Sequence, residues 1–334
     1  MKALFGLQDI DQVKWDTLVK ASPVATWFQT REAFNFFDSL SCMEAFVVAV
    51  DSDGALSGLV VGYIQKDGGK VKQFLSRRAI ILGGPLLAED ITDEELTALL
   101  QTLKDSLKGK VIYVEIRNFN DYSPWQGVFD EGGFAYAPHY NVQIDTTSME
   151  AVNGRLDRNR RRNIKKAREN GLVIDANPTG KELEAFYEML DELFRTKVKS
   201  PLYPYEFFVK LRALPSSHFF MAKNAEGELL GGLVCVALEG RAVYAWAACG
   251  DDQNHRDLSP SVMVNYAAIC HAAEHGFLRF DFMGAGKPDD GGYGVRDFKL
   301  KFGGELVEQG RFVCICNVLL YGFGKFAVKM MKKL

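Results

Sequence analysis

The strongest chemical signal in this 334-residue sequence is a lysine between aromatic residues, Lys299 in the segment FKLKFG at 298–303. Phe298 and Phe302 would exclude water from its ammonium group, which lowers the pKa and permits proton exchange near neutrality. Such an ammonium can also donate to an oxyanion, a task usually worth about 10²–10³ in rate. The alternative interpretation is a lysine that extends into solvent from an amphipathic segment.

A buried strand and a glycine-rich loop come just before this lysine. The strand is 278–282, and it carries an acid, Asp281. Asp281 could orient or deprotonate an amine, or it could be a buried acid that caps the loop, since Glu115 lies at the equivalent place in the first half. Five glycines between 284 and 294 would let the backbone approach a ligand or move as a lid, although their spacing is not a Rossmann fingerprint.

Three further residues around the loop are candidates for substrate binding: Tyr293, Arg296 and Lys301. Tyr293 could bond an acceptor, and packing is an equal alternative for it.

A dense basic helix precedes these elements. Residues 155–168 contain eight basic residues and one acid. At 100° per residue, four basic side chains share one face opposite an apolar stripe; they are Arg158, Arg161, Arg162 and Lys165. Such a cluster repels itself unless an anion is bound, so it predicts contact with a phosphate-bearing ligand. The alternative is an ordinary solvated helix face.

These segments lie on a sequence that repeats itself. Residues 46–61 resemble residues 219–234 without a gap, and a repeat of this size indicates a duplicated domain rather than a solenoid unit. Each half reads as strands, then one helix and one more strand, which predicts an α+β, or mixed α/β, fold. We expect one domain over 1–150, a second over 151–316 that carries the chemistry, and a C-terminal helix over 317–334. Ligands would bind in a cleft between the domains.

Composition narrows the functional classes. The net charge of −3 gives no overall attraction to nucleic acid, and no apolar run reaches the roughly 18 residues that span a bilayer. The six cysteines lack metal-binding spacing and predict buried free thiols in a cytoplasmic protein. His271 and His275 share a helix face without an HExxH pattern, so no metal site is predicted, and no serine-hydrolase motif is present.

The same segments resemble a known family. The helix LDRNRRRNIKKA at 156–167 and the segment FKLKFG at 298–303 resemble signatures of the FemABX family. The N-terminal stretch 15–29 is similar to related GNAT-type acyltransferases of bacterial envelope and polysaccharide pathways. The resemblance implies two tandem GNAT-like domains joined by the basic helix, with the C-terminal helix packed on the first domain. The sequence lacks the long coiled-coil arm of some members.

The resemblance also implies an activity, acyl transfer to an amine. The donor would be an aminoacyl-tRNA or an acyl-CoA as co-substrate, with no tightly bound cofactor, and the acceptor a phosphate-bearing or lipid-linked envelope precursor or an amino sugar. Lys299 would lie beside the reacting ester, and Arg158 and Arg162 would contact phosphate. The segment 256–261, RDLSPS, stands where a GNAT pyrophosphate loop would be expected and does not match it, which argues against acetyl-CoA.

Two alternatives stay open. The rival function is a non-catalytic protein that binds nucleic acid or a nucleotide-sugar through the basic helix, with tRNA rather than DNA as the polynucleotide partner. The tail 325–333, KFAVKMMKK, is basic and amphipathic; it would either pack on the first domain or contact an anionic membrane, which would place the cytoplasmic protein at the inner membrane face.

Overall fold

The computed structural model describes residues 1–66, 77–286 and 294–331, without the side chains of 325–331. The chain forms two compact units, one of Met1–His139 with Gln309–Leu334 and one of Tyr140–Glu308. Expected boundaries at 150 and 316 therefore need correction. The strand Tyr140–Asp145 lies within 1–150 but pairs in the second sheet, and Arg311–Ile315 lies within 151–316 but pairs in the first. Each unit thus takes a strand from beyond its own half of the repeat.

The first unit contains an eight-stranded sheet in the order β1-β2-β3-β4-β6-β15-β7, with β5 paired to β3. Its strands are β1 Lys2–Phe5, β2 Met43–Ser52, β3 Ala55–Gln65, β4 Arg78–Gly83, β5 Leu86–Leu87, β6 Tyr113–Asn118, β7 Ala135–Ala137 and β15 Arg311–Ile315. Its helices are α1 Gln12–Ala21, α2 Arg31–Ser39, α3 Asp93–Leu107, α4 Gln126–Glu131 and the C-terminal α11 Val318–Met331.

The second unit contains a seven-stranded sheet in the order β14-β8-β13-β12-β11-β10-β9. Its strands are β8 Tyr140–Asp145, β9 Val173–Asp175, β10 Ser217–Lys223, β11 Leu229–Leu238, β12 Ala242–Gly250, β13 Arg279–Gly284 and β14 Glu305–Glu308. Its helices are α5 Met149–Arg155, α6 Arg158–Glu169, α7 Gly180–Leu193, α8 Tyr205–Arg212, α9 Pro260–Glu274 and α10 Gly294–Leu300. The mixed α/β class predicted from the sequence is confirmed.

Local sequence explains where these helices begin. Thr92 and Glu95 form a capping box at the start of α3, and Leu96, Leu99 and Leu103 of that helix are buried in the core. The basic segment 155–168 is divided between two helices, α5 and α6, because the Asp157 side chain accepts a hydrogen bond from Asn159 N and caps the start of α6.

The two repeated segments form antiparallel hairpins, β2–β3 in the first unit and β10–β11 in the second. A buried helix and a parallel strand follow each hairpin, α3 with β6 and α9 with β13. The equivalent strands differ in one respect. β4 and β6 pair continuously from Arg78 with Tyr113 to Gly83 with Asn118, whereas β12 and β13 pair only as far as Tyr244 with Asp281. The second sheet therefore opens between two neighbouring strands.

The predicted C-terminal helix is α11, which lies in the first unit, where the Tyr321 ring packs edge-on against Tyr113 at 5.3 Å. The six cysteines are free thiols. Within 1–66, 77–286 and 294–331, no helix has the length and hydropathy to span a bilayer.

Candidate functional site

The opening between β12 and β13 defines the candidate site. β12 continues to Gly250 and β13 to Gly284, although their parallel pairing ends at Tyr244 and Asp281. Beyond these residues, the backbone groups of β12 and β13 do not pair with each other. Ligands in α/β sheets bind at such carboxyl ends, where neighbouring strands separate.

The end of β13 is bent where it leaves the ladder. Met283 has a φ of 56°, a left-handed conformation that is uncommon for a residue with a side chain. Its backbone N–H donates to Asp281 Oδ1 at 2.6 Å, and the register with β8 shifts between Asp281 and Gly284. The Asp281 carboxylate thus stabilises a strained turn in the strand, and the carbonyls of Phe282 and Gly284 become available to another partner.

That partner is Lys299 on α10. Its Nζ donates to Phe282 O at 2.8 Å and to Gly284 O at 2.7 Å, and lies 5.8 Å from the Phe282 ring centroid. Burial lowers the pKa of Lys299 to about 8, and the Asp281 carboxylate opposes this shift. An ammonium carries three N–H donors, so two fix its position and the third can meet a ligand.

Asp281 differs in environment from its counterpart in the first unit. Burial raises the pKa of Asp281, although Gln143 Nε2 donates to its carboxylate at 2.9 Å. Burial likewise opposes ionisation of Glu115, but the guanidinium groups of Arg117 and Arg311 outweigh it and lower the pKa of Glu115. The first unit therefore holds an ion pair where the second holds a carboxylate beside a lysine.

The four predicted basic residues are exposed on α6. Arg161 donates to the carbonyls of Asn153 and Gly154 at 2.9 and 3.0 Å, and Lys165 lies 3.7 Å from Glu169. A shallow pocket of about 310 Å³ lies beside this face. It is lined by Asn153, Leu156, Arg161, Ile164, Lys165, Arg168, Glu169 and Tyr266. The basic face is therefore exposed to a polyanion in solution. Arg161 also binds the carbonyl groups of the last turn of α5.

One arginine of this helix points inward and was not among the predicted site residues. The Arg160 guanidinium lies 4.3 Å from the Phe298 ring centroid and 4.9 Å from that of Phe302, and it donates to Phe298 O at 3.1 Å. Arg160 follows Leu156 by four residues and precedes Ile164 by four, so its helical phase placed it on the apolar stripe. It joins the basic helix to the segment that holds Lys299.

The structure does not bring Arg296 and Lys301, the other predicted binding residues, into one site. Arg296 is buried at the start of α10, whereas the Lys301 side chain is exposed and its carbonyl accepts a hydrogen bond from Asp157 N at 3.1 Å. Tyr293 lies outside the described residues, as does loop 287–293.

The last residue of the FKLKFG segment must be glycine for a steric reason. Gly303 has a φ of 87°, and a Cβ there would lie 2.5 Å from the Arg155 carbonyl oxygen. We expect Gly303→Ala to reduce the free energy of unfolding by about 2–4 kcal/mol, because the backbone must shift and the left-handed conformation is strained. Urea unfolding measures this effect. Gly154→Ala is the control, since its Cβ would meet open space; equal stability of the two variants would contradict the packing described.

An aromatic group beside the opening was also missed. The β11–β12 register skips Trp246, which bulges from the ladder between Ala245 and Ala247. The half-buried Trp246 ring lies 4.9 Å from Phe207, on which Tyr203 stacks at 4.4 Å. A bulge often redirects a side chain toward a site, and only the strand register reveals it here.

The start of α9, which follows β12, is already occupied by the protein's own groups. Ser261 N donates to Asp252 Oδ1 at 3.1 Å, and the N–H groups of Val262 and Met263 donate to Ser259 O. Pro260 has no N–H. Burial raises the pKa of Asp252. The first turn of α9 therefore presents no backbone donor to a phosphate, in contrast to an open helix N-terminus.

Among the residues described, no group of three or more histidine, cysteine or acidic side chains could hold a metal ion.

Comparisons with known proteins bear on the fold of the chain. Residues 154–299, all in the second unit, match the family model for the acetyltransferase (GNAT) domain. The fold is similar to that of FemX, with a TM-score of 0.74 and 17% identity over 97% of this chain and 99% of that chain. No curated protein sequence matches significantly.

Two further structures share the fold. L-PGS from Bacillus licheniformis aligns with a TM-score of 0.58 and 14% identity over 97% of each chain. A tandem GNAT protein from the clavulanic acid biosynthesis pathway aligns with a TM-score of 0.58 and 11% identity, over 95% of this chain and 99% of that chain. The chain thus has a tandem GNAT fold, as the sequence motifs predicted, and acyl transfer is the reaction class supported.

Proposed function

We propose that the chain is an N-acyltransferase that moves an acyl or aminoacyl group from an activated donor to an amine of a cell-envelope precursor or amino sugar. The observation that carries this proposal is Lys299, a half-buried lysine held at the open end of β13 within the GNAT-matched residues. The first unit has no matching arrangement among its described residues, because Glu115 is ion-paired and β4 and β6 stay joined.

The residues fit the needs of this reaction. The acceptor amine attacks the carbonyl carbon of the donor ester, a C–N bond forms, and the oxygen of the carbonyl becomes an oxyanion. The third N–H of Lys299 would donate to that oxyanion. Collapse breaks the bond to the leaving hydroxyl or thiol, and the amine proton goes to the leaving group. A lysine with a pKa of about 8 can relay this proton near neutral pH.

In this account Asp281 is a positioning residue. Its carboxylate is fully buried and holds the Met283 N–H, while Asn141 and Gln143 donate to its other oxygen. It shapes the bend whose carbonyls hold Lys299, and its charge opposes the loss of the lysine proton.

The donor best supported is an aminoacyl-tRNA. An acyl-CoA needs a site for its pyrophosphate, and the amides of the first turn of α9 are already bonded to Asp252 and Ser259. The exposed basic face of α6 suits the repeated phosphates of a polynucleotide or a pyrophosphate-linked acceptor.

Product detection tests the proposal. Mass spectrometry would follow amide formation from a panel of aminoacyl-tRNAs and acyl-CoAs with amino-sugar and muropeptide acceptors. We expect an amide from an aminoacyl-tRNA. Formation of product only from acyl-CoAs would overturn the donor assignment, and tight tRNA binding without product from any donor would favour the non-catalytic binder.

The basic face gives a separate prediction. Arg158→Glu combined with Arg162→Glu should weaken tRNA binding at least about tenfold and reduce the slope of log affinity against log salt by about two, because two phosphate contacts are lost. Fluorescence anisotropy at several salt concentrations measures both quantities. Lys108→Glu with Lys110→Glu makes the same charge change on exposed residues of the first unit. An equal effect of the two pairs would show that net charge, not this face, governs binding.

A further inference from the structure

The C-terminal helix α11 presents an uncovered apolar face. Val318, Leu319 and Phe323 are 75%, 77% and 70% exposed, and Ile315 at the end of β15 is 44% exposed. Single exposed apolar residues are ordinary on protein surfaces, but a contiguous group on one helix marks an interaction surface.

The other side of the same helix is fixed to the first unit. Tyr321 packs on Tyr113, and Leu320 N donates to Asn317 Oδ1 at 3.0 Å. Asn317 thus caps the helix at its start. The exposed apolar residues therefore belong to a helix that is capped and packed on the first unit.

The C-terminal segment of the sequence carries charge of one sign. Residues 309–334 contain no aspartate or glutamate, although the whole chain carries a net charge of −3. Arg311 is paired with Glu115 in the sheet, which leaves four lysines in the tail, Lys325, Lys329, Lys332 and Lys333. Exposed apolar residues followed by a lysine cluster are typical of helices that lie in the interface of an anionic bilayer.

We propose that α11 docks this protein on the surface of a membrane containing anionic lipids. Val318, Leu319 and Phe323 enter the headgroup boundary, and the lysines that follow in the sequence meet the negative surface potential. The helix lies on the membrane without crossing it. This surface does not depend on the activity proposed above.

Vesicle co-sedimentation of the full chain tests the proposal, using phosphatidylcholine vesicles with and without phosphatidylglycerol. We expect binding only to the anionic vesicles, with release at high salt. Leu319→Glu combined with Phe323→Glu should weaken binding at least about tenfold, because apolar insertion is lost and negative charge is added. Val13→Glu with Val173→Glu, at residues 74% and 56% exposed elsewhere, should bind as the wild type does.

Three results would overturn the proposal. The wild-type chain stays in the supernatant with every vesicle, or the Leu319 and Phe323 variant binds with unchanged affinity. The third is a wild-type dimer that becomes a monomer in that variant, which would assign the face to a second copy of the chain.

Discussion

Replacing Lys299 by methionine should reduce turnover by about 10²–10³ while the protein stays folded, because methionine keeps the length of the side chain and removes every donor. Donor and acceptor binding should change little, since the lost contact forms with the oxyanion of the transition state. Steady-state kinetics with the donor and acceptor identified by product detection would show the loss in kcat.

Lys181→Met is the matched control. Lys181 is exposed at the start of α7 in the same unit, so its loss should leave turnover unchanged. Far-ultraviolet circular dichroism of both variants separates chemistry from misfolding. Wild-type turnover in folded Lys299→Met protein would remove this lysine from the mechanism.

Replacing Asp281 by leucine should reduce the free energy of unfolding by about 3 kcal/mol or more. Three donors in or at the edge of the core would then lose their acceptor, namely Met283 N, Asn141 Nδ2 and Gln143 Nε2. Urea unfolding measures the loss. Val264→Leu, a hydrophobic change at another buried position, controls for the general cost of altering the core and should cost less.

Asp281→Asn separates the two effects of this residue. The amide keeps an acceptor for Met283 N, so the variant should fold, but the negative charge that opposes deprotonation of Lys299 is removed. Lys299 should then titrate below about 8, and any fall in rate caused by its deprotonation should move to lower pH. An unchanged pKa of Lys299 in this variant would contradict the electrostatic coupling.

Local features of the fold could be predicted from the sequence, whereas the domain boundaries could not. Lys299 was selected from the phenylalanines next to it in the sequence, but the Phe282 ring lies beside its ammonium group, and the rings of Phe298 and Phe302 contact Arg160. The start of α3 is a local feature, because the capping box of Thr92 and Glu95 can be recognised from their spacing. The unit boundary was wrong because β8 and β15 join sheets through pairing over long sequence distances, which no local pattern records.

Other parts of the site depend on features beyond residue type. Arg160 was not selected as a site residue, although its helical phase matched Leu156 and Ile164. Trp246 became visible only through the register of β12. The poor match of residues 256–261 to a pyrophosphate loop did raise doubt about acetyl-CoA, and Asp252 at the start of α9 provides the physical reason.

The central claim is that Lys299 lies in a desolvated site where it can exchange a proton near neutral pH. The most direct test is an NMR titration of ¹³Cε-labelled lysines, with Lys299 assigned by the resonance that is missing in Lys299→Met. We predict a midpoint near pH 8. A midpoint near the ordinary lysine value of about 10.4 would contradict the account, because such a lysine would be solvated and unable to relay a proton at neutral pH.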